Sequence, residues 1–412
     1  LEQDLGKPRL ETYASEIAPT LDEIKVFLKN LSGWSKRRYV STKWWSLGHF
    51  MARSFIQPTP LGRVLIISPW NYPFQLAMIP LIGAVAAGNK IVLKPSEFAP
   101  QTSRLLKELI YEWIDDDSVK VVEGDASVSE KLCREEWGMI FFTGGTEIGR
   151  KIMESAAKTL SPVTLELGGK SPCILDKNAD LKTSLRRILW GKCFNAGQTC
   201  VAPDYLLVPQ SRYDQVLDES QKILKEFYPQ GATASSDYGR IVNKRHFDRL
   251  ISMTQGGKVV TGGEADFHQL KLAPTILTDV DLESSLMRDE IFGPLLPVIP
   301  YQSIEGAIEI IRARPYPLAV YLFSNDRMLQ EKFIHDIPCG GICLNDVLVH
   351  LSNPHLPFGG IRTSGIGAYH GKKSFEIFSH WKSVERKNLR GDLALRYPPY
   401  KLKLTKFLKK FV

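Results

Sequence analysis

Cys200 closes the run Phe194-Asn195-Ala196-Gly197-Gln198-Thr199-Cys200, whose small and polar neighbours suit a tight turn entering a ligand site. They would line a core poorly. Upstream, Glu166 ends an apolar strand pattern and is followed by Leu167, Gly168 and Gly169. A thiol and a carboxylate able to take a proton are the ingredients of covalent catalysis. A lone Cys is equally at home as a small buried hydrophobe. Spacing alone leaves the two readings level.

Three further groups could do chemistry. Asn71 stands between Trp70 and Tyr72 in Ser68-Pro69-Trp70-Asn71-Tyr72-Pro73-Phe74. That run reads as a Pro-rich turn, or as a side-chain amide placed at a strand's carboxyl end to donate to a developing oxyanion. Lys94 and Glu97 follow a second strand, where nucleotide-binding sheets hold a ribose; alone they would be a solvated surface pair. Thr143, Gly144 and Gly145 precede a helix, and a Gly-rich helix N-terminus can carry pyrophosphate. The GxGxxG fingerprint expected after a first nucleotide-binding strand is absent.

The elements that must position these groups follow from apolar periodicity. Residues 10–32 predict a helix, with Leu10, Tyr13, Ile17, Leu21, Ile24, Phe27, Leu28 and Leu31 near helical period. Residues 34–60 are Trp- and Arg-rich with alternating apolar positions, which predicts a projecting hairpin or arm. From residue 61 strands (62–68, 90–94, 119–122, 139–142, 163–167) alternate with helices (74–87, 101–113, 126–133, 146–157). That alternation predicts a doubly wound parallel sheet, with ligands at the carboxyl ends of its strands. A strand at 172–175 and a helix at 181–194 begin a second α/β domain that carries Cys200. The division expected is a cofactor-binding domain (1–36 and 61–167), a catalytic domain (168–380), and a small β oligomerisation arm with a tail (37–60 and 381–412).

Composition bounds the function. The chain has 412 residues, 43% hydrophobic and 24% charged, as expected of an ordinary globular protein with two or three domains. Its net charge of +8 is spread widely, and no nucleic-acid module is present. Cys133, Cys173, Cys193, Cys200, Cys339 and Cys343 form no CxxC pair or Cys/His quartet, so neither a metal site nor a disulfide framework is expected. A reducing cytoplasm is the simplest home. The apolar region 61–88 is broken by Pro69, Pro73 and Pro80, which excludes a membrane span. The chain begins at Leu1, and the expectation is that it starts inside a longer protein.

Taken together, the motifs PWNYPF, LKPSE, FTGGTEIG, LELGGKSP, FNAGQTC, EIFGP and PFGG occur in the order seen in the aldehyde dehydrogenase superfamily. The run LPFGGIRTSGIGAYHGKKSFEIFSHWKS resembles its class 3 branch of fatty and aromatic aldehyde dehydrogenases. The resemblance spans nearly all of residues 1–400. It implies NAD(P)-dependent oxidation of a medium- or long-chain aliphatic or an aromatic aldehyde to the carboxylic acid, by a homodimer using NAD or NADP. It implies that Cys200 forms a thiohemiacetal and then a thioester, that Asn71 and the Cys200 N–H hold the oxyanion, and that Glu166 activates the hydrolytic water. It further implies that Glu290 binds the nicotinamide ribose with Phe292 packed on the cofactor, and that Lys94 and Glu97 hold the adenosine ribose. Trp70, Thr143, Gly144, Gly145 and Gly168 complete the cofactor contacts. Many members carry Ser where this chain has Gly145, which implies a looser pyrophosphate grip. Judged by the length usual in the family, the expectation is that about one or two helices of its N-terminal start are missing from this sequence.

Tyr72, Trp190 and Thr199 are candidates for the aldehyde pocket. Cys193, Cys339 and Cys343 are expected to pack, and His370 to make a structural hydrogen bond. The tail 401–412 sets Leu404, Phe407, Leu408 and Phe411 among five lysines. This basic amphipathic pattern could lie weakly on a membrane surface, which would make the protein peripheral, or dock on protein. Two rival functions remain at this level: an acylating, coenzyme A-dependent dehydrogenase, and a catalytically idle binding or structural relative. A dedicated water-activating carboxylate argues against the first, and the joint presence of Cys200, Glu166 and Asn71 against the second.

Overall fold

Alternating side chains of five short parallel strands build the first layer. In order across the sheet these are Val163–Glu166, Met139–Thr143, Arg63–Ile67, Lys90–Lys94 and Val119–Val121. The computed structural model describes the chain except for residues 44–48, 115–116, 391, 393–395 and 400–412, so the amphipathic tail at 401–412 lies outside the described residues. Val64, Ile66, Ile91, Leu93 and Phe141 face one way, onto the helices Gln75–Ala86 and Pro100–Trp113. Leu65, Ile67, Ile140 and Phe142 face the other, onto Ile152 and Ala156 of the helix Thr146–Ala157. Burial on both faces is why these strands read as unbroken apolar runs rather than as alternation.

Chain order reverses between Arg63–Ile67 and Met139–Thr143, which are neighbours in the sheet although three strands apart along the chain. Crossovers from this pair leave on opposite faces, and a crevice opens at their carboxyl ends. The segments after the two strands carry Trp70 and Asn71 on one side and Thr143–Gly145 on the other.

The second layer is a seven-stranded sheet in the order Lys258–Thr261, Thr275–Thr278, Leu295–Tyr301, Tyr205–Pro209, Pro172–Leu175, Ala319–Phe323 and Gly341–Leu344. All are parallel except the edge strand Lys258–Thr261. The helix Leu181–Cys193 packs on it and delivers the Cys200 turn. A third sheet joins Arg38–Val40, Ala52–Pro60 and Ser379–Lys387, all antiparallel. This is the arm expected near 34–60, completed by a strand from the far end of the chain.

Two features depart from the linear reading. Residues 365–378 do not stay with the second sheet. Gly365–Ile366 pairs with Val163–Glu166 antiparallel, Gly365 opposite Glu166, and the helix Gly371–Ile377 packs on the first layer. The helical stretch that begins at Arg9 forms as periodicity predicts, with a π-turn at Tyr13–Ile17 before Ala18–Trp34. Its buried face, however, carries Glu16, Thr20, Glu23 and Phe27, while Leu10 and Leu28 are each 80% exposed. The polar face is drawn inward because its carboxylates meet unpaired backbone N–H groups, and a buried donor left alone would cost about 1–3 kcal/mol.

Glu23 shows the consequence. Its Oε1 accepts the Gly371 N–H at 2.6 Å, and burial raises its carboxyl to about 7 against that hydrogen bond. A carboxyl raised on folding binds protons more tightly folded than unfolded, so its contribution falls as pH rises through the interval between about 4.5 and 7. Glu23→Gln should therefore flatten the decline of stability between pH 5 and 8, by on the order of 2–3 kcal/mol across that range. Denaturant midpoints at both pH values check it; an unchanged pH slope would refute the assignment.

Candidate active site

The turn that carries Cys200 is built from left-handed backbone. Asn195 (φ 52°), Ala196 (φ 51°) and Gly197 (φ 73°) follow one another in that region. For residues with a Cβ this costs roughly 1–2 kcal/mol each, so the surroundings must hold it. Asn195 donates its side-chain amide to the Asn71 carbonyl (2.9 Å) and its backbone N–H to Glu11 Oε2 (3.0 Å). The Gln198 amide donates to the carbonyls of Asn195 (3.0 Å) and Arg240 (2.9 Å), and its Oε1 accepts Val242 N–H (2.9 Å). At Gly197 a Cβ would overlap the Gly293 carbonyl, so the turn lies directly on the EIFGP segment.

Asn71 is tied to the same turn from the other layer. Its Nδ2 donates to the Gln198 carbonyl at 3.0 Å, leaving the second amide hydrogen available. Its own carbonyl accepts from Lys7 Nζ at 3.0 Å. Lys7 is fully buried and paired with Glu16 at 2.5 Å. Glu16 Oε2 in turn accepts Phe74 N–H (3.0 Å) and Gln75 N–H (3.1 Å), two donors at the start of the helix Gln75–Ala86. Lys7, Glu11 and Glu16 were not singled out in the sequence. They lie far upstream of the loops they hold, and no spacing rule connects them.

Two cavities meet at Cys200. The larger, about 480 Å³, is lined by Trp70, Asn71, Thr143, Gly144, Gly145, Glu166, Gly168, Glu290 and Phe292, joined by His246 and Arg249. The smaller, about 180 Å³, is largely apolar and is lined by Tyr72, Leu76, Trp190, Phe194, Thr199 and Phe358, with His370 among them. Cys200 lines both. Every catalytic candidate thus comes together, as do the three pocket candidates; Tyr72 Oη and Thr199 Oγ1 are 2.6 Å apart. Lys94 and Glu97 pair with each other at 3.0 Å and are not among the residues lining the larger cavity. Cys193 and Cys343 are buried, while Cys339 is half-buried. At His370 the backbone N–H donates to Ser374 Oγ at 2.8 Å; among the described residues its ring Nε2 has no hydrogen-bond partner, and the ring stacks on Phe358.

Electrostatics inside the larger cavity are tense. Both carboxylate oxygens of Glu166 are buried without a hydrogen-bond partner among the described residues, and burial raises its carboxyl well above the ordinary range. Glu290 is pushed up to about 8, by burial first and then by the Asp204 charge. The Cys200 thiol is raised by burial, then by the negative charges of Glu290 and Glu166. His246 is held down to about 4 by burial and by Arg249 and Arg245, so its ring is neutral near pH 7. All three upward shifts favour the neutral forms of Glu166, Glu290 and Cys200.

Such a cavity fits a dinucleotide. Thr143 Oγ1, Glu290 Oε1 and His246 Nδ1 are buried acceptors or donors with no partner among the described residues, and each of the three residues lines the cavity. The space a Cβ would occupy at Gly145 is open, at the N-terminus of the helix Thr146–Ala157. Trp70 and Phe292 meet edge to face, ring centroids 5.3 Å apart, as one wall.

The model of the aldehyde dehydrogenase family matches residues 1–384. The chain belongs to the aldehyde dehydrogenase family. Its class 3 character shows in an Arabidopsis thaliana relative, aldehyde dehydrogenase family 3 member H1, 48% identical over 99% of this chain and 85% of the relative. The dimeric NADP-preferring aldehyde dehydrogenase of Mus musculus is 46% identical over 98% of this chain and 89% of its own length. The solved substrate-bound state of Staphylococcus aureus AldH superposes with a TM-score of 0.95 at 45% identity, covering 100% of this chain and 90% of that one. The enzyme is an NAD(P)-dependent oxidoreductase that oxidises aldehydes.

A thiol raised by burial and by two carboxyls should become more reactive when positive charge enters the larger cavity. Alkylation of Cys200 by iodoacetamide at pH 7 should be slow in the free enzyme and faster with NAD+ bound. Peptide mass spectrometry resolves it from the other five cysteines. Equal rates with and without NAD+ would refute this electrostatic reading.

Proposed function

We propose that Cys200 attacks the aldehyde carbon from the floor of the apolar cavity, forming a thiohemiacetal whose oxyanion is held by the Asn71 amide and the Cys200 N–H. What carries this reading is the position of Cys200, which lines both the apolar cavity and the polar one. The substrate class that suits the smaller cavity is a medium- or long-chain aliphatic or an aromatic aldehyde, because Leu76, Trp190, Phe194 and Phe358 offer it little to hydrogen-bond. NAD or NADP, when bound, accepts hydride from the substrate carbon.

Around that transfer the chain's own groups have separate tasks. Thr143, Gly144 and Gly145 border the phosphates, Glu290 holds the nicotinamide ribose, and Trp70 and Phe292 close the wall. Glu166, whose carboxylate has no hydrogen-bond partner among the described residues, takes the proton of the water that hydrolyses the Cys200 thioester. Burial raises the Glu166 carboxyl, so the base is freed as pH rises and turnover should climb with pH. The buried Glu166 favours hydrolysis over transfer to coenzyme A, since thiol transfer needs no dedicated water-activating group.

The same reading extends to assembly. The strand Ser379–Lys387 leaves one edge of the third sheet open over nine residues, a natural place for a second copy, and the mouse relative is named as dimeric. We take the enzyme to be a cytoplasmic homodimer, any contact with a membrane surface being peripheral. Among the described residues no helix is long and apolar enough to cross a membrane.

Three substitutions test the chemistry. Cys200→Ala should abolish NAD(P)H formation while cofactor binding survives. Asn71→Ala should lower kcat by roughly 10²–10³-fold, the usual effect of removing one oxyanion donor. Glu166→Gln should slow turnover and let acyl-enzyme accumulate, visible by intact-protein mass spectrometry, with the rise of the pH profile lost. An undiminished steady-state rate in Glu166→Gln would sink the base assignment. Rates across a series of aliphatic and aromatic aldehydes test the substrate class, and a preference for short hydrophilic aldehydes would overturn it.

A further inference from the structure

The segment that presents Glu290 has no ladder or long helix to fix it. It runs from the short helix Ser285–Arg288 to the strand Leu295–Tyr301, with Phe292 in left-handed backbone (φ 48°). Lys170 supplies what is missing. Its side chain is 2% exposed, and Nζ donates to Asp204 Oδ2 (2.5 Å) and to the carbonyls of Leu286 (2.8 Å) and Asp289 (3.0 Å). An ammonium has three N–H groups, and all three are used. The other Asp204 oxygen accepts Ile291 N–H at 3.1 Å. The residue before Glu290 and the residue after it are therefore tied to one buried ion pair. Arg249 adds a donor to the Ile291 carbonyl at 2.7 Å from the far side.

The other end of this arrangement is the strand that ends in Glu166. Lys170 follows it by four residues, and between them Gly168 lies so close to the Glu290 carboxylate that a Cβ there would overlap it. Gly169 N–H is a hydrogen-bond donor to the same carboxylate. One short segment, Glu166 to Lys170, thus holds the general-base candidate, the surface on which Glu290 rests, and the cation that sets the Glu290 backbone.

We propose that Lys170, through its ion pair with Asp204, is a positioning residue for cofactor binding, holding the Glu290 loop in register with the strand end that carries Glu166. It touches neither substrate nor cofactor. The proposal rests on the reading of Glu290 as a cofactor contact. Lys170→Met keeps much of the stem's volume and removes the three donors, so the loop loses its register while Cys200 and Glu166 keep theirs.

The test measures NADH affinity by equilibrium fluorescence, KM for NAD+, kcat, and cofactor-free hydrolysis of p-nitrophenyl acetate, a reaction that needs the thiol and the base only. In Lys170→Met, NADH affinity should fall and KM for NAD+ should rise about tenfold or more, the scale of losing one strong hydrogen-bonded tether. Ester hydrolysis should stay within about threefold of the parent. Asp204→Asn, which keeps an acceptor for Ile291 N–H, should move the same readouts in the same direction by less, and serves if Lys170→Met does not fold. Lys170→Arg should recover part of the affinity. Parallel loss of ester hydrolysis and NADH affinity in both Lys170→Met and Asp204→Asn would mean a general packing role and overturn the proposal. Unchanged NADH affinity in Lys170→Met, with affinity lost in Glu290→Gln, would overturn the positioning role alone. Unchanged affinity in Glu290→Gln would overturn the Glu290 assignment and the proposal with it.

Discussion

The active site depends on a knot of hydrogen bonds between two loops from different layers. The Asn71 amide reaches the Gln198 carbonyl, the Asn195 amide reaches the Asn71 carbonyl, and Lys7 caps that carbonyl from below. Each bond is worth only about 1 kcal/mol net. Their joint effect is geometric. They hold three consecutive residues in left-handed backbone, so that Cys200 faces the crevice instead of the core, and they leave one Asn71 hydrogen pointing free. Because the bonds cross between the two sheets, the oxyanion donor and the nucleophile cannot shift independently.

A second constraint is electrostatic. Glu166, Glu290 and Cys200 share a low-dielectric space in which three negative charges would repel strongly. Burial raises all three, which favours their neutral forms in the free enzyme. Positive charge brought by a cofactor is what such a site lacks, which couples the readiness of the thiol to occupancy of the larger cavity. The buried cations nearby answer other needs. Lys170 is bound to Asp204 and to loop carbonyls, and Lys192, lowered to about 8 by burial, has no hydrogen-bond partner among the described residues.

Much of this was legible in the chain. The helices 126–133 and 146–157 and the strand 90–94 fall at the limits that apolar runs and turn residues set. Strands buried on both faces announce themselves by composition alone. Other features were invisible for a stated reason. The helix before Trp34 has the right period, yet its apolar stripe faces outward, because hydrogen bonds from Glu16 and Glu23 outrank the burial of Leu10 and Leu28. Lys7 and Lys170 carry no local sign of burial, since nothing near them in the chain says that a buried carboxylate and several carbonyls await them. The return of residues 365–378 to the first layer was hidden too, because pairing partners of an antiparallel edge leave no mark on spacing.

The sequence by itself determined the chemistry and the class of fold: a thiol in a turn of small residues, a carboxylate before two glycines, and motifs in one family order. Periodicity and turn composition suffice for the elements, because they act over a few residues; the chemistry came from the motifs taken together, since spacing alone left Cys200 equally suited to a core. Only the tertiary structure decided that Cys200 sits where two cavities meet, that Glu166 has no partner among the described residues, and that the Glu290 loop hangs on Lys170 and Asp204. Those outcomes depend on which groups lose water together, and desolvation is a property of the packed whole, not of any segment.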